Sequence, residues 1–227
     1  MPDATPENPA QRLAQIEGEM AKAAKVAGRA SNDITLIAVS KTRSADEITP
    51  LLEAGHRQFG ENRVQEAAAK WPQLRATYPD IQLHLIGQLQ SNKAEEAVAL
   101  FDCIHSLDRM SLLTTLAKAM AKTGKQVPCF IQVNIGEEEQ KGGCAIAELP
   151  ELLAAAQQAK IEIVGLMCIP PAEVEPAPYF ALLAELAARH GLAQLSMGMS
   201  DDFGTAIMLG ATHIRVGTAL FGARKPG

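Results

Sequence analysis

The sequence predicts an α/β fold, a single (β/α)8 TIM barrel, on three observations. Eight short apolar runs rich in Val, Ile, Leu and Phe recur along the 227 residues, and segments with helical apolar spacing separate them. Strands divided by helices must run parallel, because each crossover carries the chain back to its starting edge. Eight such units in a chain of this length match a closed barrel, whereas an open doubly wound sheet lacks support without GxGxxG after the first run.

The elements follow in order. Residues 1–9 are polar and proline-rich and read as disordered, after which Leu13, Ile16, Met20 and Ala24 set an amphipathic helix over 9–27. The first strand is TLIAV at 35–39. Ser44 and Glu47 then form a capping box for a helix over 45–54. A strand at 57–59 leads to a helix over 62–74, with Val64, Ala67, Ala68 and Trp71 on one face. The remaining strands read as 82–86, 103–105, 128–133, 162–167, 193–197 and 213–216, with helices over 91–100, 109–122, 147–159, 178–190 and 201–209 between them. Gly55, Gly124, Gly191 and Gly210 stand where a helix gives way to the next strand, the place for a left-handed residue. Nothing divides the chain, so one domain over 1–227 is expected.

Composition excludes several classes. With 47% apolar and 21% charged residues, the chain can bury roughly 70% of its unfolded surface and is not a disordered polymer. A net charge of −5 without a Lys/Arg cluster argues against nucleic acid, whose phosphates need a concentrated positive field. No apolar run approaches the roughly eighteen residues of a membrane span, and the start lacks the basic and apolar stretches of a secretory signal. A cytoplasmic location is expected. Cys103, Cys129, Cys144 and Cys168 are widely spaced and read as reduced core thiols, and neither they nor the five histidines show metal-ligand spacing.

In a barrel of this kind, ligand chemistry gathers at the carboxyl ends of the strands. The first strand ends in Ser40 and Lys41. Such a lysine ordinarily just surfaces with the loop, but an amine held at an apolar mouth sheds hydration and becomes a nucleophile for carbonyls. Lys41 is therefore the best Schiff base candidate. At the far end of the chain, SMGMS at 196–200 precedes the last helix and RVGT at 215–218 ends the last strand. The loops after strands seven and eight are this fold's recurrent phosphate site. Ser200 and Thr218 offer hydroxyls there, and Gly217 allows close approach; the plainer readings are an N-cap and a tight turn. Asp201 and Asp202 would oppose a phosphate and are expected to point away.

A lysine facing a phosphate cradle suits a phosphorylated aldehyde, either pyridoxal 5′-phosphate or a sugar phosphate. Arg215 favours the first, since a guanidinium at the mouth can face a pyridine nitrogen. His84 reads first as a satisfied core histidine and second as a cofactor contact. Asn134 is a candidate for lining the mouth, residues 137–141 read as a solvated loop or a gate, and Met167 reads as packing.

The segments IAVSKT, FGENRVQE, HLIGQLQSNK, IHSLDR, SMGMSDDF and IRVGTALFGAR together resemble the pyridoxal phosphate homeostasis protein family, over residues 33–224. The resemblance implies a barrel similar to the N-terminal domain of alanine racemase (fold type III), pyridoxal 5′-phosphate held by the strand-one lysine, and no established catalytic activity. It maps the cofactor lysine onto Lys41, phosphate contacts onto Ser200, Gly217 and Thr218, and the pyridine-nitrogen partner onto Arg215, with Asn62 of FGEN beside the cofactor. An arginine in that role keeps its proton, which makes the ring a poor electron sink. Racemases and decarboxylases resembling this barrel add a β-rich domain carrying a further acid or base. This sequence ends ten residues after Gly217, and Tyr78 and Tyr179 lie in or beside helical segments, so weak catalysis is expected. The expectation is a monomeric cofactor carrier with apo-enzymes as possible recipients. The alternatives are a slow racemase-like enzyme and a class I aldolase-like Schiff base enzyme acting on a sugar phosphate.

Overall fold

In the computed structural model, which describes residues 8–222, all eight predicted strands form. They are β1 (Thr35–Val39), β2 (Gln58–Glu61), β3 (Gln82–Leu85), β4 (Cys103–Leu107), β5 (Cys129–Gln132), β6 (Ile163–Met167), β7 (Gln194–Ser196) and β8 (His213–Val216). Each pairs in parallel with its neighbour in sequence, and β8 closes on β1 with Arg215 level with Ile37. The helices are α1 (Pro9–Val26), α2 (Ala45–Glu53), α3 (Val64–Thr77), α4 (Ala94–Leu100), α5 (Met110–Thr123), α6 (Leu149–Gln158), α7 (Ala177–Arg189), α8 (Phe203–Met208) and α9 (Thr218–Phe221).

The punctuation acts as its chemistry dictates. The Ser44–Glu47 box caps α2, and Gly55, Gly124, Gly191 and Gly210 all take positive φ. Asn8 and Gln11 form a second capping box, with Pro9 in the first turn of α1. The expected disordered start is therefore corrected at Asn8 and Pro9, and the rest of it lies outside the described residues. β2 runs two residues past its predicted end, because Gly60 pairs with both β1 and β3 and Glu61 with β3. α8 begins at Phe203, so residues 200–202 form a turn, and α9 was not predicted: four residues are too few to show a periodicity.

The apolar core lies mainly between sheet and helices, where Trp71, Phe101, Phe180 and Leu183 are fully buried. Each such side chain contributes about 1.5–3 kcal/mol by leaving water. The lumen differs. His105 of β4 stacks on Phe130 of β5 with centroids 4.3 Å apart, and Phe130 meets His213 of β8 edge-on at 5.1 Å. Strands β5 and β8 are not neighbours, so these contacts cross the barrel interior. The four cysteines are buried free thiols as expected; burial pushes Cys129, Cys144 and Cys168 up to about 12. Met167 packs in the lumen with Cys103 and Phe130. No helix among the described residues is long and apolar enough to cross a membrane.

Candidate functional site

The two ends of the sequence meet at the carboxyl ends of the strands. Closure of β8 on β1 sets Gly217 against Val39: a Cβ added at Gly217 would lie 3.2 Å from the Val39 Cβ and 3.4 Å from its carbonyl oxygen. Lys41, half-buried, shares a small cavity with Val39, Thr42, Arg43, Gly217 and Thr218. Arg43 ties the rim further, donating Nη2–H to the Gly222 carbonyl at 2.6 Å with its guanidinium over the Phe221 ring.

Ser200 does not cap the helix that follows it. Its Oγ accepts from the Ala219 backbone N–H at 3.4 Å, linking the loop after β7 to the first turn of α9. Thr218 is exposed beside it. Gly217 keeps a negative φ, so what requires glycine here is the close approach to Val39 and not a turn conformation. Asp201 is exposed as expected. Asp202 departs from expectation: it turns back, its Oδ1 accepting from Met199 N–H at 2.5 Å. Burial raises its pKa, with the backbone bond and Arg215 pulling the other way.

Arg215 lies under this rim, 4% exposed. It donates from Nη1 to Ser196 Oγ at 2.8 Å and from Nη2 to the Cys168 carbonyl at 2.9 Å. Burial lowers its pKa, and among the described residues it forms no ion pair with a carboxylate. Sequence reasoning missed what lies behind it. Ser196 Oγ is also 2.8 Å from His105 Nδ1, His105 Nε2 is 3.0 Å from His84 Nδ1, and His84 Nε2 is 2.8 Å from Gln58 Oε1.

Gln58 Oε1 only accepts and a neutral imidazole donates from one nitrogen, so the direction of this row follows from the Gln58 end, with Arg215 donating at the other. Ser196 accepts from the arginine and gives its hydroxyl proton to His105 Nδ1; His105 Nε2–H then donates to His84, and His84 Nε2–H to Gln58. Both rings are neutral in this arrangement. Burial agrees, lowering His105 well below the usual range, His84 to about 3 and His213 to about 4. His84 thus has both ring nitrogens partnered, as the core reading expects, and connects to Arg215 through His105 and Ser196. The Cys103 thiol also lies near the two rings, with the potential ligand atoms of His84, Cys103 and His105 within 4.8 Å of one another, a cluster the sequence spacing did not reveal.

Asn62 follows β2 on the same rim, half-buried, but lines a separate cavity with Gln88, Gln90 and Lys93. Asn134 exchanges hydrogen bonds with the Glu138 backbone, and Lys141 pairs with Glu138 at 2.6 Å, so the 137–141 loop is tied to the end of β5. The residue after Lys41 is strained: Thr42 has φ +62°, which for a β-branched side chain costs about 1–3 kcal/mol.

An amine, two hydroxyls, a close-packed glycine and a buried cation thus converge from β1, β7 and β8. These groups fit pyridoxal 5′-phosphate, which needs one amine for its aldehyde, small donor-bearing residues for its phosphate and a partner for its ring nitrogen. Comparison with known proteins gives the same direction. Residues 13–225 match the family model described as alanine racemase, N-terminal domain. The chain is 40% identical over 227 residues to the pyridoxal phosphate homeostasis protein of Escherichia coli K12, covering 95% of this chain and 96% of that one. It is 38% identical to PipY of Synechococcus elongatus PCC 7942, solved with PLP bound, at a TM-score of 0.82 covering 95% and 100% of the two chains. Alanine racemase from Streptomyces coelicolor shares the fold at a TM-score of 0.69 and 20% identity, over 93% of this chain and 59% of that one.

Proposed function

Because the chain belongs to the pyridoxal phosphate homeostasis family, with its alanine racemase N-terminal-like barrel, we propose that it binds pyridoxal 5′-phosphate reversibly and serves in vitamin B6 homeostasis. The observation that carries this reading is the cavity shared by Lys41 with Gly217 and Thr218, with Arg215 buried under the same rim. Lys41 supplies the amine for a Schiff base with the aldehyde. Ser200, Gly217 and Thr218 receive the phosphate, Arg215 faces the ring nitrogen, and Asn62, from the neighbouring cavity of the same rim, borders the cofactor on its far side. His84 acts at one remove, holding Arg215 through His105 and Ser196.

When bound, the cofactor supplies a reactive aldehyde and an electron-accepting ring. The residues of this chain restrain the second property. Arg215 is held by two acceptors and keeps its proton, so it gives the ring nitrogen no proton and carbanion chemistry stays weak. His84 and His105 have their ring nitrogens committed to each other, to Gln58 and to Ser196, and so are not free to move a proton at the rim. On this reading the protein is a cytoplasmic, monomeric carrier with apo-enzymes as its recipients, and racemase-like or aldolase-like turnover is the alternative that the following titration separates from it.

Titration of purified protein with pyridoxal 5′-phosphate tests this reading. The expected result is a visible absorbance band saturating at one equivalent, without sustained solvent deuterium exchange at the α-carbon of added amino acids. Sustained exchange lost in Lys41→Ala establishes an enzyme. Borohydride trapping of a sugar phosphate with no response to pyridoxal 5′-phosphate establishes the aldolase-like alternative.

A further inference from the structure

We propose that α3 positions the Lys41 amine, with Lys70, anchored on the buried carboxylate of Glu61, and Glu66 acting as a brace on the turn from Ser40 to Arg43. This inference rests on the assignment of Lys41 as the cofactor amine. Lys70 Nζ donates to the Ser40 carbonyl at 2.9 Å and to the Arg43 carbonyl at 3.0 Å, and it lies 2.7 Å from Glu61 Oε1. The residues between the two clamped carbonyls are Lys41 and Thr42. Glu66, one turn before Lys70 on α3, accepts the Thr42 N–H at 2.5 Å and so holds the one residue of the turn that stands in the left-handed region.

Glu61 is fully enclosed. Its Oε1 also accepts from the Ser40 hydroxyl at 2.7 Å and from Trp71 Nε1 at 3.0 Å, while its Oε2 has no partner among the described residues. A buried ion pair is a poor way to add stability, since two charges leave water and apolar residues of similar volume do as well or better. What an apolar pair could not do is grip carbonyls on either side of one lysine. Lys70 and Glu66 lie on one face of a helix and Glu61 at the end of the neighbouring strand, so the brace adds the rigidity of α3 and β2 to a turn otherwise held only at its ends, by Ser40 and Arg43. Released, Thr42 would leave its left-handed conformation and turn the Lys41 side chain away from Gly217.

The test compares Lys70→Met, Lys70→Arg, Glu66→Ala and Glu66→Gln with the parent protein, reading two properties. The first is amide hydrogen exchange of residues 40–44 in the cofactor-free protein. The second is affinity for pyridoxal 5′-phosphate, with the pH midpoint of its visible absorbance band. Lys70→Met and Glu66→Ala are expected to exchange at least about tenfold faster in that segment, to bind about tenfold more weakly and to move the midpoint, while Lys70→Arg and Glu66→Gln retain parent behaviour. If Lys70→Met does not fold, Glu66→Ala, at a partly exposed site, decides. Folded Lys70→Met or Glu66→Ala with parent exchange, affinity and midpoint overturns the proposal. If the parent itself forms no adduct at Lys41, the cofactor assignment fails, and the exchange comparison still decides whether the brace exists.

Discussion

Ser196 Oγ stands 2.8 Å from Arg215 Nη1 and 2.8 Å from His105 Nδ1, so one hydroxyl joins the cation under the rim to the imidazoles inside the barrel. Ser196→Ala removes the hydroxyl and leaves a buried donor and a buried acceptor unpaired, at about 1–3 kcal/mol each at most. We expect a stability loss of about 2 kcal/mol by urea denaturation and a changed absorbance band for bound pyridoxal 5′-phosphate, because Arg215 is no longer held toward the ring. Parent stability and an unchanged band would show that the row does not position the arginine.

The pH dependence of stability follows from the same row. His84, His105 and His213 have folded pKa values depressed below their unfolded value of about 6.5. As pH falls below that value the unfolded chain takes up protons that the folded chain refuses, so stability is full above about 6.5 and declines toward pH 4. Each such histidine costs up to about 1.4 kcal/mol per pH unit across that window. The raised pKa of Asp202 works in the opposite sense, at lower pH, and offsets part of the loss. Denaturation at pH 7 and pH 5 should show a clear drop that shrinks in His84→Gln; equal stability at the two values would mean that the imidazoles protonate freely.

The proposed phosphate contacts can be tested apart from the amine. Ser200 and Thr218 offer side-chain hydroxyls at the loops after β7 and β8. Ser200→Ala with Thr218→Val is expected to weaken pyridoxal 5′-phosphate by at least about tenfold while leaving binding of unphosphorylated pyridoxal within about twofold. Equal loss for both ligands would place the phosphate elsewhere.

At Gly217 the added carbon of alanine meets the Val39 backbone and side chain at 3.2–3.4 Å. The φ of −121° is open to any residue, so Gly217→Ala should still fold, with a small loss of stability as Val39 gives way. It should also bind the cofactor more weakly, by about tenfold, as read by titration. Parent affinity would show that close approach to this turn is not needed.

The barrel was legible because parallel strands covered by helices read as plain apolar runs, and Ser44, Glu47 and the four helix-ending glycines marked the breaks. Lys41, Ser200, Arg215, Gly217 and Thr218 could be placed at one rim because they interrupt or follow those runs at one end of the barrel. Gln58, Glu61, Lys70, His105 and Ser196 were not singled out. Each is a polar residue inside or beside an apolar pattern, and its partner is set by closure of the barrel: His105 and Ser196 are 91 positions apart. The inward turn of Asp202 escaped for a related reason, since the helix it was assigned to starts two residues later and leaves it free to bond Met199.

Borohydride reduction of the protein with bound pyridoxal 5′-phosphate, followed by mass spectrometry of its peptides, tests the cofactor assignment most directly. The expected result is one modified lysine, Lys41, in the peptide spanning the end of β1. Modification at another lysine with Lys41 untouched, or no fixed cofactor at all, would contradict it.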